Sequence, residues 1–262
     1  MGIGIKVEDV INILGLKNAK KEVVQFFFNV AKKKIDEEAE DRSNFELEVS
    51  NYSDEELAKY IPTVYQEDIY DIDYDKLKGN GIKLISFDID DTISDSGKNK
   101  FEDYVLHKKI TLPKKAQDLF KKLKDMGITV VLVTNARNTM AEGACEVLDA
   151  DDYIARAKKP EVIAFERLQK KYGVEKREMA HIGNSMRQDI KGGNDFGITT
   201  CLIRRAGFSM KIVKFGLKMM RLKTKGHIIR EELKKRGMWR KHHKCEKGDQ
   251  YYQLGEKPKY FS

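Results

Sequence analysis

The sequence predicts an α/β protein built on a Rossmann-like, doubly wound parallel sheet with helices on both faces. Two observations carry this. From about residue 82 to residue 204, short apolar runs of strand length alternate with helical segments. The helices are bounded by proline at their starts and glycine at their ends, as at Pro113 and Gly127, and at Pro160 and Gly173.

Residues 1–79 read as helical. Val23, Val24, Phe27, Val30, Ala31 and Ile35 share one apolar face. Ser53 followed by Glu56 has the spacing of a capping box and predicts a short helix. After Gly79-Asn80-Gly81, the run Ile82–Phe87 predicts a first buried strand. A helix over Pro113–Met126 and a second strand over Ile128–Val133 follow. Next come a helix near 138–149, a short third strand over Asp152–Ala155, and a helix opened by Pro160. Met179–Ile182 predicts a fourth strand, 186–195 a helix, and Thr199–Ile203 a fifth strand. The organisation expected is a helical extension over 1–64, an α/β domain over 65–206, and a basic helix and tail over 207–262.

Composition narrows the setting. No apolar run approaches the ~18 residues of a membrane span, and the first ten residues lack the pattern of a secretory leader. Cys145, Cys201 and Cys245 are odd in number and far apart, which predicts free thiols in a reducing cytoplasm. Net charge is +8, unevenly spread: residues 204–262 hold 18 Lys/Arg against 5 Asp/Glu, or +13, leaving the rest at −5. A basic tail on an acidic body predicts an anionic partner, phospholipid or nucleic acid, or else a solvated tail.

In open parallel sheets, ligands bind beyond the carboxyl ends of the strands, so the residues after each strand are the ones to weigh. Asp88-Ile89-Asp90-Asp91-Thr92 follows the first strand. One carboxylate there could attack phosphorus, and a second could protonate the leaving oxygen; an acidic turn without chemistry is equally common. Thr134-Asn135 follows the second strand and could hold phosphate oxygens, or simply cap a helix. Lys158-Lys159-Pro160 offers a point charge to phosphate, or a solvated lysine pair. Gly183-Asn184-Ser185-Met186-Arg187-Gln188-Asp189 is an oxygen-rich turn suited to a hard cation, or an ordinary polar turn.

Taken in order, these four segments resemble the motifs of the haloacid dehalogenase (HAD) superfamily over about residues 82–204. A finer resemblance covers about 65–238. It rests on Ile69-Tyr70-Asp71-Ile72-Asp73 with Lys76-Leu77, on Lys159-Pro160, on Gly192-Gly193-Asn194 with Gly197, and on Gly207-Phe208 before a basic helix. This pattern looks like the YqeG-type branch of subfamily IIIA, which includes the mitochondrial phosphatidylglycerophosphate phosphatases. The resemblance implies an Mg²⁺-dependent phosphatase. Asp88 would be nucleophile and metal ligand. Asp90 would be general acid/base and lend its carbonyl to the metal. Thr92 would orient Asp90. Thr134 and Asn135 would bind the phosphoryl group, and Lys159 would neutralise it, with Lys158 as fallback. Asn184 and Asp189 would complete the metal site. Relatives usually carry Asp where this chain has Asn184, which implies weaker metal affinity.

Substrate and partners follow less directly. About twenty residues separate Thr92 from Pro113 and about twenty-four separate Thr134 from Lys159, too few for a folded cap domain of the ~50 residues a small domain needs. An open site suits a large or membrane-held phosphate ester, unless residues 1–64 cover it. Phe208, Ile212, Phe215, Met219 and Leu222 form one helical stripe, and Lys211, Lys214, Lys218 and Arg221 form another beside it. Such a helix could lie on an anionic membrane as a peripheral contact, or pack on its own domain. His242, His243 and Cys245 make a weak metal pattern. Trp239, Tyr251, Tyr252, Tyr260 and Phe261 could stack on bases, with no ordered nucleic-acid motif to support it. The leading expectation is a phosphatase for a phosphorylated lipid headgroup. The alternatives are a soluble phosphatase for a nucleotide, sugar or nucleic-acid phosphate, and a weakly catalytic protein that binds phosphate ligands, RNA or protein.

Overall fold

A computed structural model of the chain describes residues 42–94, 110, 112–204 and 224–239, together with Asn29. The apolar face over 23–35, the paired stripes over 208–222, the His242–Cys245 cluster and the tail tyrosines lie outside the described residues.

Six parallel strands form one sheet: β1 (Val64–Gln66), β2 (Leu84–Phe87), β3 (Thr129–Val133), β4 (Asp152–Ile154), β5 (Met179–Gly183) and β6 (Thr199–Ile203). Their spatial order is β1-β6-β5-β2-β3-β4. From β2 the chain winds outward to β3 and β4, then returns to the other side of β2 as β5 and β6. The end of β2 is therefore the switch point of the sheet, where a crevice opens between diverging connections.

Eight helices accompany the strands among the described residues: α1 (Arg42–Ser50), α2 (Asp54–Ala58), α3 (Tyr74–Gly79), α4 (Lys114–Asp125), α5 (Asn138–Leu148), α6 (Ile163–Tyr172), α7 (Lys191–Phe196) and α8 (Lys225–Lys235). Ala116, Phe120 and Leu123 put one buried stripe of α4 against the sheet. The expected capping box is present at α2: Glu56 N–H donates to Ser53 Oγ at 3.1 Å, and Ser53 N–H donates to the Glu56 carboxylate at 2.7 Å. The segment expected as a helix over 186–195 is a π-helical turn (Met186–Ile190) running into α7. Gly197, at φ 88°, ends α7 in a left-handed conformation that a side chain would strain.

The parallel α/β sheet expected from the sequence is the observed fold, with one correction. Residues 1–79 are not helical throughout, because β1 lies within them and makes the sheet six-stranded. Pro62 has no N–H to continue a helix. Beyond it, Val64–Gln66 pairs with β6, register Val64↔Cys201. Thr63 and Thr200 exchange N–H···Oγ1 bonds of 3.3 Å, and the Asn194 amide donates to the Lys59 and Ile61 carbonyls. Three residues are too few to show a strand period, and the strand they pair with lies about 135 residues away.

Side chains on the two faces of the sheet enter different clusters. Ile85, Phe87, Ala180, Ile182, Cys201 and Ile203 pack with α4 and α5. On the other face, Leu84, Val131 and Met179 pack with Phe165 and Leu168 of α6 and Phe196 of α7. A third cluster joins Phe45 and Val49 of α1, Leu57 of α2, Tyr65, Leu202, and Ile229 and Leu233 of α8. This packing crosses the sequence boundaries drawn at residues 64 and 207. Trp239 belongs to it, buried and edge-on to Tyr65 at 5.7 Å, so its ring is core and not a platform for bases. Among the described residues no helix is long and apolar enough to cross a membrane.

Candidate active site

Asp88 is the first residue past β2. Its N–H continues the strand pairing by donating to Ile182 O at 2.9 Å, which fixes the carboxylate over the switch point. The following loop is tight: the Ile89 carbonyl accepts from the N–H groups of Thr92, Ile93 and Ser94, and Asp91 sits at φ 59°. This turn keeps Asp90 beside Asp88. The Thr92 hydroxyl donates to Asp88 Oδ2 at 3.2 Å.

Lys159 reaches the same place from the end of β4. It is 4% exposed, and its Nζ donates to Asp88 Oδ1 at 2.8 Å and to Asp189 Oδ1 at 2.6 Å. Lys158 is exposed, at φ 56°. The Lys159–Pro160 peptide is cis. Asn135, at the end of β3, grips the Lys159 backbone from both sides: its Nδ2 donates to Lys159 O at 3.1 Å and its Oδ1 accepts from Lys159 N–H at 2.8 Å. The Asn135 amide is therefore taken up in shaping the lysine's turn. Thr134 is buried beside it, and its Oγ1 accepts from Ala136 N–H at 3.1 Å.

Asp189 lies on the π-helical turn after β5. Gly183 makes room for it, since a Cβ there would stand 2.2 Å from the Asp189 carboxyl carbon. Asp189 Oδ2 accepts from Ser185 N–H at 2.9 Å, and Oδ1 meets both Lys159 and His181 Nε2, the latter at 3.2 Å. Asn184 is half-buried at the end of β5. The structure thus joins Asp88, Thr92, Asn135, Lys159 and Asp189 by direct contacts, and sets Thr134 and Asn184 at neighbouring strand ends.

Electrostatics tie the lysine to both carboxylates. Burial pushes Asp88 up to about 7; Lys159 opposes this, and the charges of Asp189 and Asp90 add to it. Burial would lower Lys159, but Asp189 and Asp88 reverse that and hold it above its usual value. Burial would raise Asp189, but Lys159 and the His181 hydrogen bond hold it far below the usual carboxylate range. Two buried carboxylates thus share one ammonium group, and Asp90 adds negative charge at Asp88, an excess that suits a further cation. The donors are all oxygen, which favours a hard ion such as Mg²⁺. Among the described residues no three His, Cys, Asp or Glu side chains group as a metal site by themselves. The fit is to an ion held by one or two carboxylates and completed by carbonyl, amide, water and phosphate oxygens, the usual manner of Mg²⁺.

Sequence reasoning missed His181 and Ser86. Both are fully buried, with Ser86 Oγ 2.9 Å from His181 Nδ1. Burial pushes His181 below its usual value, against the pull of Asp189. The available signal was a polar residue in the middle of each of two adjacent buried strands.

Comparison with known proteins adds a family to this geometry. The model for haloacid dehalogenase-like hydrolases matches residues 94–197, a stretch that holds Thr134, Lys159 and Asp189 and begins just past Thr92. Probable phosphatase YqeG of Bacillus subtilis is 27% identical over 179 residues, covering 66% of this chain and 97% of that protein. Among solved structures, the 3-deoxy-D-manno-octulosonate 8-phosphate phosphatase of Moraxella catarrhalis, in complex with magnesium, phosphate and KDO, is 17% identical. It covers 56% of this chain and 92% of its own, with a TM-score of 0.36. A HAD phosphatase from Thermococcus onnurineus is 19% identical, covers 53% and 98%, and also has a TM-score of 0.36. Overlaps this low carry no weight for function. The family match and the curated relative agree with the four segments set at successive strand ends, and together they support placing this chain in the haloacid dehalogenase superfamily of hydrolases.

Proposed function

We propose that the chain is an Mg²⁺-dependent phosphatase that works through an aspartyl-phosphate on Asp88. The observation that carries this reading is the placement of Lys159 Nζ between Asp88 and Asp189 at the switch point of the sheet.

In the first step an Asp88 carboxylate oxygen attacks phosphorus, and the ester bond to the leaving oxygen breaks as the acyl-phosphate forms. Asp90 gives its proton to that leaving oxygen. In the second step Asp90 takes a proton from water, the water oxygen bonds to phosphorus, and the bond to Asp88 breaks, releasing inorganic phosphate. Lys159 stabilises the equatorial phosphoryl oxygens throughout. Each pair of like unit charges 4 Å apart costs roughly 4 kcal/mol at an effective dielectric near 20, so a carboxylate meeting a dianion needs more than one positive charge nearby. Asp88, the Asp90 carbonyl, Asn184 and Asp189 would hold the metal; when bound, Mg²⁺ would supply Lewis-acid shielding of the transferring group.

For the substrate we favour a phosphorylated lipid headgroup such as phosphatidylglycerophosphate. This rests on the YqeG-type resemblance, the short segments between motifs, and the basic stripe at Lys211, Lys214, Lys218 and Arg221. The test is phosphate release from p-nitrophenyl phosphate and from a panel of esters that includes lipid phosphates, with Mg²⁺ and with EDTA. Asp88→Asn is expected to lose about 10⁴-fold or more, in the range seen when a nucleophile is removed, and EDTA to abolish release. An Asp88→Asn variant as active as wild type would overturn the mechanism. Water-soluble esters hydrolysed faster than any lipid phosphate would overturn the substrate class.

A further inference from the structure

Ser86 and His181 have no part in the reaction above, yet both lie immediately behind it with no exposure to solvent. They are registered neighbours on the paired strands β2 and β5. Their side chains enter the face covered by α6, where Phe165 packs edge-on to the imidazole at 5.0 Å. From there an unbroken chain of contacts runs to the nucleophile. Ser86 Oγ to His181 Nδ1 is 2.9 Å, His181 Nε2 to Asp189 Oδ1 is 3.2 Å, Lys159 Nζ to Asp189 Oδ1 is 2.6 Å, and Lys159 Nζ to Asp88 Oδ1 is 2.8 Å.

The chemistry of these groups assigns the hydrogens. An ionised carboxylate only accepts, so His181 Nε2 must carry the hydrogen it shares with Asp189. A second cation on an oxygen that already holds Lys159, among side chains this deeply buried, would be costly. The ring is therefore neutral, and Nδ1 presents a lone pair. Ser86 can fill it with its hydroxyl hydrogen; its other neighbour, Ala180 O at 3.2 Å, is the longer contact.

We propose that Ser86 and His181 are positioning residues for Lys159: Ser86 fixes the tautomer of His181, His181 pins the Asp189 carboxylate, and the pinned carboxylate keeps Lys159 Nζ aimed at Asp88. The need for this follows from the sharing of one ammonium group between two carboxylates. Were Asp189 free to turn about its side chain, it would draw Nζ with it, and an error of about 1 Å at a reacting centre can cost ~10²-fold in rate. The kinetic consequence rests on the phosphatase reading above; the hydrogen assignment does not.

The test compares wild type with His181→Phe, His181→Gln and Ser86→Ala. Each is measured for kcat and KM on p-nitrophenyl phosphate at saturating Mg²⁺ and for thermal midpoint. The His181 ring nitrogens are read by long-range ¹H–¹⁵N NMR, assigned by loss of the signals in the Gln variant. His181→Phe should lose about 10–100-fold in kcat, as outer-shell partners do, with KM within about threefold. His181→Gln, which keeps a donor near the position of Nε2, should recover at least about fivefold of that loss. Ser86→Ala should lose less than His181→Phe, and the wild-type ring should be neutral with hydrogen on Nε2. A His181→Phe variant within twofold of wild type overturns the proposal. So do Phe and Gln variants equally impaired with equally lowered midpoints, or a ring with hydrogen on Nδ1. If the Phe variant fails to fold, the Gln and Ser86→Ala variants decide by the same criteria. A wild type that releases no phosphate yet holds the Nε2–H tautomer retires the phosphatase reading and leaves the anchor standing; an active wild type with hydrogen on Nδ1 retires the anchor alone.

Discussion

The centre of the sheet and its β1 edge bury their residues for different ends. At the centre, Asp88, Lys159 and Asp189 are charged and almost wholly withdrawn from water, held by one another. At the edge, α1, α2 and α8 bury apolar side chains, and their charges stay nearer solvent. Arg236 is typical there: it donates to Ser50 O at 2.9 Å and Tyr52 O at 2.7 Å, closing the end of α1, and pairs with the exposed Asp54. The contrast teaches where function and stability separate. A change at the centre should move both, because each buried charge is compensated chiefly by another. A change at the edge should move stability alone.

Lys159→Met is the strongest test of that contrast. It removes the shared ammonium group and leaves two carboxylates buried. We expect about a thousandfold loss in phosphate release, in the range for a lost transition-state donor, together with about 3 kcal/mol of stability, limited because Asp88 can take up a proton. Urea denaturation and phosphate assay check both; loss of either one alone would break the coupling drawn here. Leu233→Ala probes the edge. Leu233 has no exposed surface, so its truncation should cost about 2–5 kcal/mol while activity at a permissive temperature stays within about twofold. Loss of activity in the still-folded variant would show that the edge reaches the site, and the route would be Met186 and Ile190, which belong to the edge cluster and to the π-helical turn carrying Asp189.

Asn184→Asp sharpens the comparison within the centre. It adds a charged oxygen where the sequence has a neutral one, and should lower the Mg²⁺ concentration for half-maximal activity by about tenfold, since ligand charge sets affinity in such sites. An unchanged Mg²⁺ dependence would remove Asn184 from the metal site. Ser53→Ala is the smallest change. It deletes the capping hydroxyl of α2 and should cost about 1 kcal/mol without altering kinetics; thermal denaturation would detect it, and an unshifted midpoint would mean that the cap contributes nothing to α2.

Legibility in the sequence follows the range of the forces involved. The strands β2, β3, β5 and β6 and the helices α4 and α5 stand within a residue or two of where apolar runs, Pro113 and Gly127 place them, because these signals act between close neighbours. The strand β1 was hidden, because Val64–Gln66 takes its register from β6, and Asn194 ties down the residues just before it. In the site, the sequence brings polar residues to successive strand ends, but local pattern does not separate Lys158 from Lys159, and only the resemblance favoured Lys159. Only the folded backbone, with Asn135 clamped to Lys159, puts one lysine inside and the other in solvent. Ser86 and His181 escaped notice for the same reason: a lone serine and a lone histidine gain meaning only when two strands align them.

The sequence by itself determined the parallel α/β class, the order of the motifs and the types of group that meet at the switch point, since periodicity and turn chemistry are local. Tertiary structure decided which lysine enters, what steadies Asp189, and how residues 42–65 and 224–239 combine into one cluster. Those outcomes depend on burial and on hydrogen bonds between distant segments, and a buried charge is settled only by whatever stands within a few ångströms of it.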